Sequence, residues 1–67
     1  MPIARVSEIT ASSRHSFQDA IEQGVTRAIA SYRNIEGAVV QEQKVLVEDG
    51  KIACYRVTLR LSLVVTD

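Results

Sequence analysis

The chain has no tryptophan, one cysteine, one histidine and three glycines in 67 residues. A single cysteine excludes an internal disulfide, and one histidine leaves no Cys/His cluster for a structural zinc. The glycines are scattered, so no glycine-rich loop is present to cradle a phosphate. Charge of one sign is also missing: eight Lys and Arg balance eight Asp and Glu, interspersed and without blocks. A general electrostatic footprint for nucleic acid is therefore absent. No apolar run approaches the roughly 20 residues that span a bilayer. The N-terminus shows no basic stretch followed by an apolar core, so no signal peptide is visible. Together these absences predict a cytoplasmic protein with neither a nucleic-acid nor a membrane partner, and the lone Cys54 suits a reducing compartment.

Residues 1–67 read as one domain. A chain this small buries only about 60% of its unfolded surface. Ordering it costs roughly 1.5 kcal/mol per residue. Disulfides, metal or oligomerisation usually offset that cost in small domains. With the first two excluded, assembly with copies of itself is the expected support.

What is present points the same way. After Glu48-Asp49-Gly50-Lys51, the odd positions Ala53, Tyr55, Val57, Leu59, Leu61, Leu63 and Val65 are apolar or aromatic, while Arg56, Thr58, Arg60 and Ser62 lie between them. Period-two alternation places the two sets on opposite faces of a sheet. At about 3.3 Å per residue such a strand reaches roughly 50 Å. A domain of this length has a diameter of gyration of only about 22 Å. The strand must bend or project beyond its own core, and its apolar surface must meet a partner.

The remaining elements follow from local signals. Ile3 to Thr10 reads as a strand, followed by a polar loop from Ser12 to Ser16. Ser16 is a good N-cap, with Asp19 in the first turn. Phe17, Ala20, Ile21, Val25, Ala28, Ile29 and Tyr32 mark one apolar helix face. Gly24 costs about 1 kcal/mol in a helix interior, which is explained either by close approach of a strand or neighbouring subunit or by simple tolerance. Arg33-Asn34 ends the helix, with a cation in the last turn and a residue that tolerates the left-handed region. A second strand runs from Ile35 to Val47, and Asp49-Gly50 marks a tight hairpin into the third. The order is β-α-β-β, an α+β fold with one helix on a three-stranded antiparallel sheet.

These residues resemble the dodecins, small β-α-β-β proteins that assemble as hollow dodecamers and bind flavins in most studied members. The likeness is carried by Ala4-Arg5-Val6-Ser7-Glu8-Ile9, Ser16-Phe17-Gln18-Asp19-Ala20, Arg33-Asn34-Ile35, Val47-Glu48-Asp49-Gly50-Lys51 and Tyr55-Arg56-Val57-Thr58-Leu59, in order and without gaps. The resemblance implies a homo-dodecameric shell with a curved sheet wrapped on the helix. It also implies a flavin, FMN or riboflavin, stored or sequestered at subunit contacts lined by Gly37, Gln43 and Arg56. Two departures stand at that pocket. Flavin-binding dodecins stack the ring on a tryptophan where this chain has Gly37, and carry a glutamine that bonds the ring edge where it has Arg56. Arginine offers donors only, with a fixed positive charge. The alternative is a shell without flavin, structural or binding another anion or a metal ion such as calcium.

Other groups weigh less. Arg56, repeated around a symmetry axis, would form an anion cluster; pairing with Glu42 or Glu36 is the plainer reading. Gln41, Glu42 and Gln43 read as a polar strand face more readily than as ligand contacts. Glu8, Glu48 and Asp49 supply oxygens suited to Ca²⁺ or Mg²⁺, yet Glu48 and Asp49 are more simply turn residues. His15 has no adjacent acid for a triad, and Cys54 reads as a small half-buried strand residue. No nucleophile–base constellation is visible, so a binding protein is expected and an enzyme is not.

Overall fold

The computed structural model describes residues 3–65. The side chains at 1–6 and 65–67 lie outside the described set, and with them the apolar positions Ile3, Val6 and Val65. The elements are β1 (Ile3–Ser13), α1 (Phe17–Ser31), β2 (Ile35–Glu48) and β3 (Lys51–Val65). They form one antiparallel sheet in the order β1-β3-β2, with the longest strand in the middle. The expected β-α-β-β architecture is present. The principal extent is 52 Å, the length that the alternating pattern of the third strand predicts. The radius of gyration is 13.8 Å, against about 11 Å for a compact chain of this size.

The helix lies on the face carrying the odd residues of β3. Ala11, Ala20, Val57 and Leu59 form one buried cluster, with Ile9, Phe17, Ile21 and Val25 packed against it. Ala28, Leu61 and Leu63 form a second. Phe17 meets Tyr55 edge to face at 5.1 Å between ring centroids, a geometry that suits the aromatic quadrupole. At Gly24 helix and sheet approach closely. A Cβ there would lie 3.1 Å from both Ala11 Cβ and Leu59 Cδ1. Of the two explanations for this glycine, strand approach is the one found.

Several boundaries differ from the sequence reading. β1 runs on to Ser13, because Ser12 and Ser13 pair with Arg56 and Tyr55 despite their polarity. The helix closes earlier, at Tyr32, whose N–H donates to Ala28 O. Arg33 therefore falls outside the last turn, which holds no basic residue. Asn34 does take the left-handed conformation, at φ 60°. Ile29 is 63% exposed rather than part of the buried face. The hairpin turn is as expected: Asp49 and Gly50 both have positive φ, the geometry of a two-residue turn that matches strand twist.

Bulges set which residues share a face. Register shifts occur between Ile35 and Gly37, between Val40 and Glu42, and between Leu46 and Val47. An extra residue in one strand reverses the phase of everything beyond it. Thus Val40 sits opposite Leu59 and Gln43 opposite Val57, both on the helix side. The third shift places the extra residue on β3 at Ala53, which drops out of the alternation assigned to it.

Candidate functional site: the open face of the sheet

The sheet face away from the helix carries Glu8, Thr10 and Ser12 of β1, then Cys54, Arg56, Thr58, Arg60 and Ser62 of β3. On β2 it carries Gly37, Val39, Glu42, Lys44 and Leu46. Gly37 lies opposite Ser62, and nothing comes within 4 Å of a Cβ built there. A larger side chain would therefore project into open space. Arg56 lies between Ser12 and Lys44 in the register. Its Nε donates to Ser12 Oγ at 3.1 Å. Within the chain this bond stands in place of the anticipated pair with Glu42 or Glu36. Glu42 sits one row away, opposite Thr58, and Glu36 lies at the first bulge.

The three candidate pocket residues do not meet within one chain. Gly37 and Arg56 share the open face but are separated by the stretch of β3 from Ser62 to Arg56, roughly 20 Å at about 3.3 Å per residue. Gln43 belongs to the helix side because the bulge at Gln41 reverses the phase. Glu8 faces Arg60 across β1 and β3, and Glu48 faces Lys51 at the base of the turn. Among the described residues, no three His, Cys, Asp or Glu side chains come together to hold a metal ion. Among the same residues, no helix is long and apolar enough to cross a membrane.

One constellation escaped the sequence reading. Ser13 is buried at the end of β1, and its hydroxyl donates to Asp19 Oδ2 at 2.5 Å. Ser13 Oγ in turn accepts from the backbone N–H of His15 at 2.9 Å and of Ser16 at 3.4 Å. Gln23 Nε2 also donates to Asp19 Oδ2, at 2.6 Å. The bonds from Ser13 and then Gln23 hold the Asp19 carboxyl below its ordinary value, with His15 adding a smaller push in the same direction. Serine, histidine and aspartate residues thus lie close together, but the His15 side chain is hydrogen-bonded to neither of the other two, so they form no triad. The wiring is that of a clamp: the serine proton goes to the carboxylate, and His15 contributes its main chain. Ser16 caps the helix as expected, accepting from Asp19 N at 2.9 Å. The signal for this clamp was in plain sight, a serine six residues before a first-turn acid, but a polar loop masks it.

The family model for dodecins matches residues 3–66. The chain belongs to the dodecin family. The dodecin of Streptomyces davaonensis is 27% identical over 98% of this chain and 97% of its own, with a TM-score of 0.91. The dodecin of Streptomyces coelicolor is also 27% identical, over 98% and 94%, again at 0.91. A mutant dodecin of Thermus thermophilus aligns over the full length of both chains at 0.91 with 18% identity, a likeness of fold alone. No curated protein sequence matches the chain. The family expected from the order of motifs is therefore the family found, and the dodecin fold accounts for the single helix laid on a sheet longer than itself.

Proposed function

We propose that the chain, a single domain over residues 1–67, assembles into a hollow homo-dodecamer that binds and stores or sequesters a small ligand. The observation that carries this reading is the half-covered sheet. Val39, Val47 and Ile52 are 60%, 62% and 53% exposed in a chain that is 52 Å long. Apolar surface of this kind marks an interaction site, and closed symmetry is the usual outcome for soluble homo-oligomers. Membership of the dodecin family supports the same arrangement.

The ligand pocket lies at subunit contacts, where Gly37, Gln43 and Arg56 of different copies converge. Flavin, as FMN or riboflavin, is the family ligand. Here Gly37 offers no stacking surface, and stacking on an aromatic is worth about 1–3 kcal/mol per face. Each face lost weakens binding by roughly one to two decades. Arg56 brings a fixed charge in place of a neutral ring-edge contact. These two positions favour a second reading beside the first: a shell without flavin, structural or holding another anion or a cation such as calcium. Neither reading involves turnover, and both describe a cytoplasmic protein without nucleic-acid or membrane partners.

Native mass spectrometry of the protein as purified tests the proposal. Twelve subunits with added mass of flavin size support the flavin reading. Bare dodecamers support the second, and a monomer refutes the shell. Gly37→Trp should create flavin binding, seen as quenching of flavin fluorescence; a variant that assembles yet leaves flavin emission unchanged shows that the rest of the pocket has diverged.

A further inference from the structure

The hairpin end of the open face holds a cleft of about 410 Å³. Its apolar lining is Leu46, Ala53 and Cys54. Leu46 and Cys54 face each other across β2 and β3, and Ala53 is the bulged residue beside them. Its polar lining comes from Ser12, Ser13 and Arg14 at the end of β1. Glu48 is the one acid among the lining residues.

The next row of the same face is Ser12, Arg56 and Lys44. Two cations directly opposite one another disfavour a sheet when nothing lies between or beside them. Ser12 Oγ accepts from Arg56 Nε, which holds the guanidinium against β1 beside a residue that lines the cleft. Its terminal nitrogens keep their donors, and the Ser12 hydroxyl, used here as acceptor, keeps its proton to donate. The Ser13 hydroxyl, by contrast, is fully engaged with Asp19, His15 and Ser16. Arg14 lines the apolar hollow together with Glu48, Arg56 borders it through its bond to the lining residue Ser12, and Lys44 lies opposite Arg56 with Glu42 one row beyond. Guanidinium forks match planar and tetrahedral oxyanions and form stronger bonds with them than neutral donors do.

We propose that this cleft binds a small amphipathic oxyanion: an aromatic or short apolar body against Leu46, Ala53 and Cys54, and a phosphate or carboxylate head held by Arg14, Arg56 and the Ser12 hydroxyl. Every residue that lines the cleft belongs to one chain. The site goes beyond the pocket assigned to Gly37 and shares only Arg56 with it.

Cys54 reports on the cleft directly. The assembled protein is treated with iodoacetamide and the rate of Cys54 alkylation is read by intact mass. Three probes share a ring and differ in charge: phenyl phosphate, benzoate and neutral benzyl alcohol. At saturation one or both anions should slow labelling at least tenfold, and the one that protects at lower concentration identifies the head group. Arg14→Gln and Arg56→Gln should each raise the half-protecting concentration about tenfold, the size expected for losing one charge-assisted bond. Circular dichroism checks that both variants are folded. Equal protection by benzyl alcohol, no protection by either anion, unchanged protection in both variants, or a Cys54 inert to iodoacetamide from the start would each overturn the proposal. Subunit number is read on the same samples, so a failure of the shell is seen separately from a failure of the cleft.

Discussion

Ala11, Val57 and Leu59, on β1 and β3 beneath the helix, are 2%, 0% and 0% exposed. Val47 and Ile52 face each other at the hairpin end, and more than half of each is exposed. The composition of the two regions is alike, and the difference is the helix. At 15 residues and about 1.5 Å per residue, α1 spans roughly 22 Å, less than half of the sheet it lies on. One region is therefore finished by the chain itself and folds it. The other is left uncovered, and in the proposed shell it is where copies would join.

The sharpest way to break this contrast is to charge the unfinished region. Val47→Lys with Ile52→Lys should abolish assembly while leaving the helix-covered half intact. Fully burying a Val or Ile side chain is worth about 1.5–3 kcal/mol, so the pair removes about 3–6 kcal/mol of contact from each subunit. Native mass spectrometry should show small species, with far-UV circular dichroism nearly unchanged. Dodecamers at wild-type stability would mean that the hairpin end is not where copies join.

The converse change lies under the helix. Leu59→Ala should cost about 2–5 kcal/mol of folding stability, the range for emptying a buried leucine site. Leu59 packs against the helix at Gly24, where the two elements are close, so little collapse can refill the space. Urea unfolding should shift to a lower midpoint with a similar slope. A shift equal to that of a surface substitution would show that the core is carried elsewhere.

Much of this contrast is legible in the sequence. The long alternation of β3 gave its reach, Asp49-Gly50 gave the hairpin, Ser16 gave the helix start, and Gly24 flagged a close approach. The pocket was less legible, for physical reasons. A bulge has no composition of its own, and the one at Gln41 moves Gln43 to the opposite face from Gly37 and Arg56. Polar Ser12 and Ser13 look like loop, yet they pair because β3 offers them a ladder. Ile29 looks like core because helical periodicity reports a face and not how far a sheet extends beneath it. The bond from Arg56 to Ser12 joins residues 44 positions apart, a separation at which local pattern carries no information.

The clamp at the start of α1 gives the smallest and most selective test, because it exists only in the finished region. Ser13 and Gln23 donate to the Asp19 carboxylate and hold its pKa below the ordinary aspartate value. A carboxylate whose folded pKa is depressed adds stability that is fully present above its unfolded pKa and is lost as pH falls through the folded one. The window therefore opens near pH 4 and extends below it. Stability measured by urea at pH 5 and again near pH 2.5 should fall in the native protein. In Asp19→Asn, which keeps an acceptor for Ser13 but carries no charge to titrate, the fall should be smaller. The helix-start clamp would then be electrostatic. Parallel losses in the two proteins would instead leave the clamp as hydrogen bonds indifferent to charge, with the helix held on the sheet by those bonds and by the two apolar clusters beneath it.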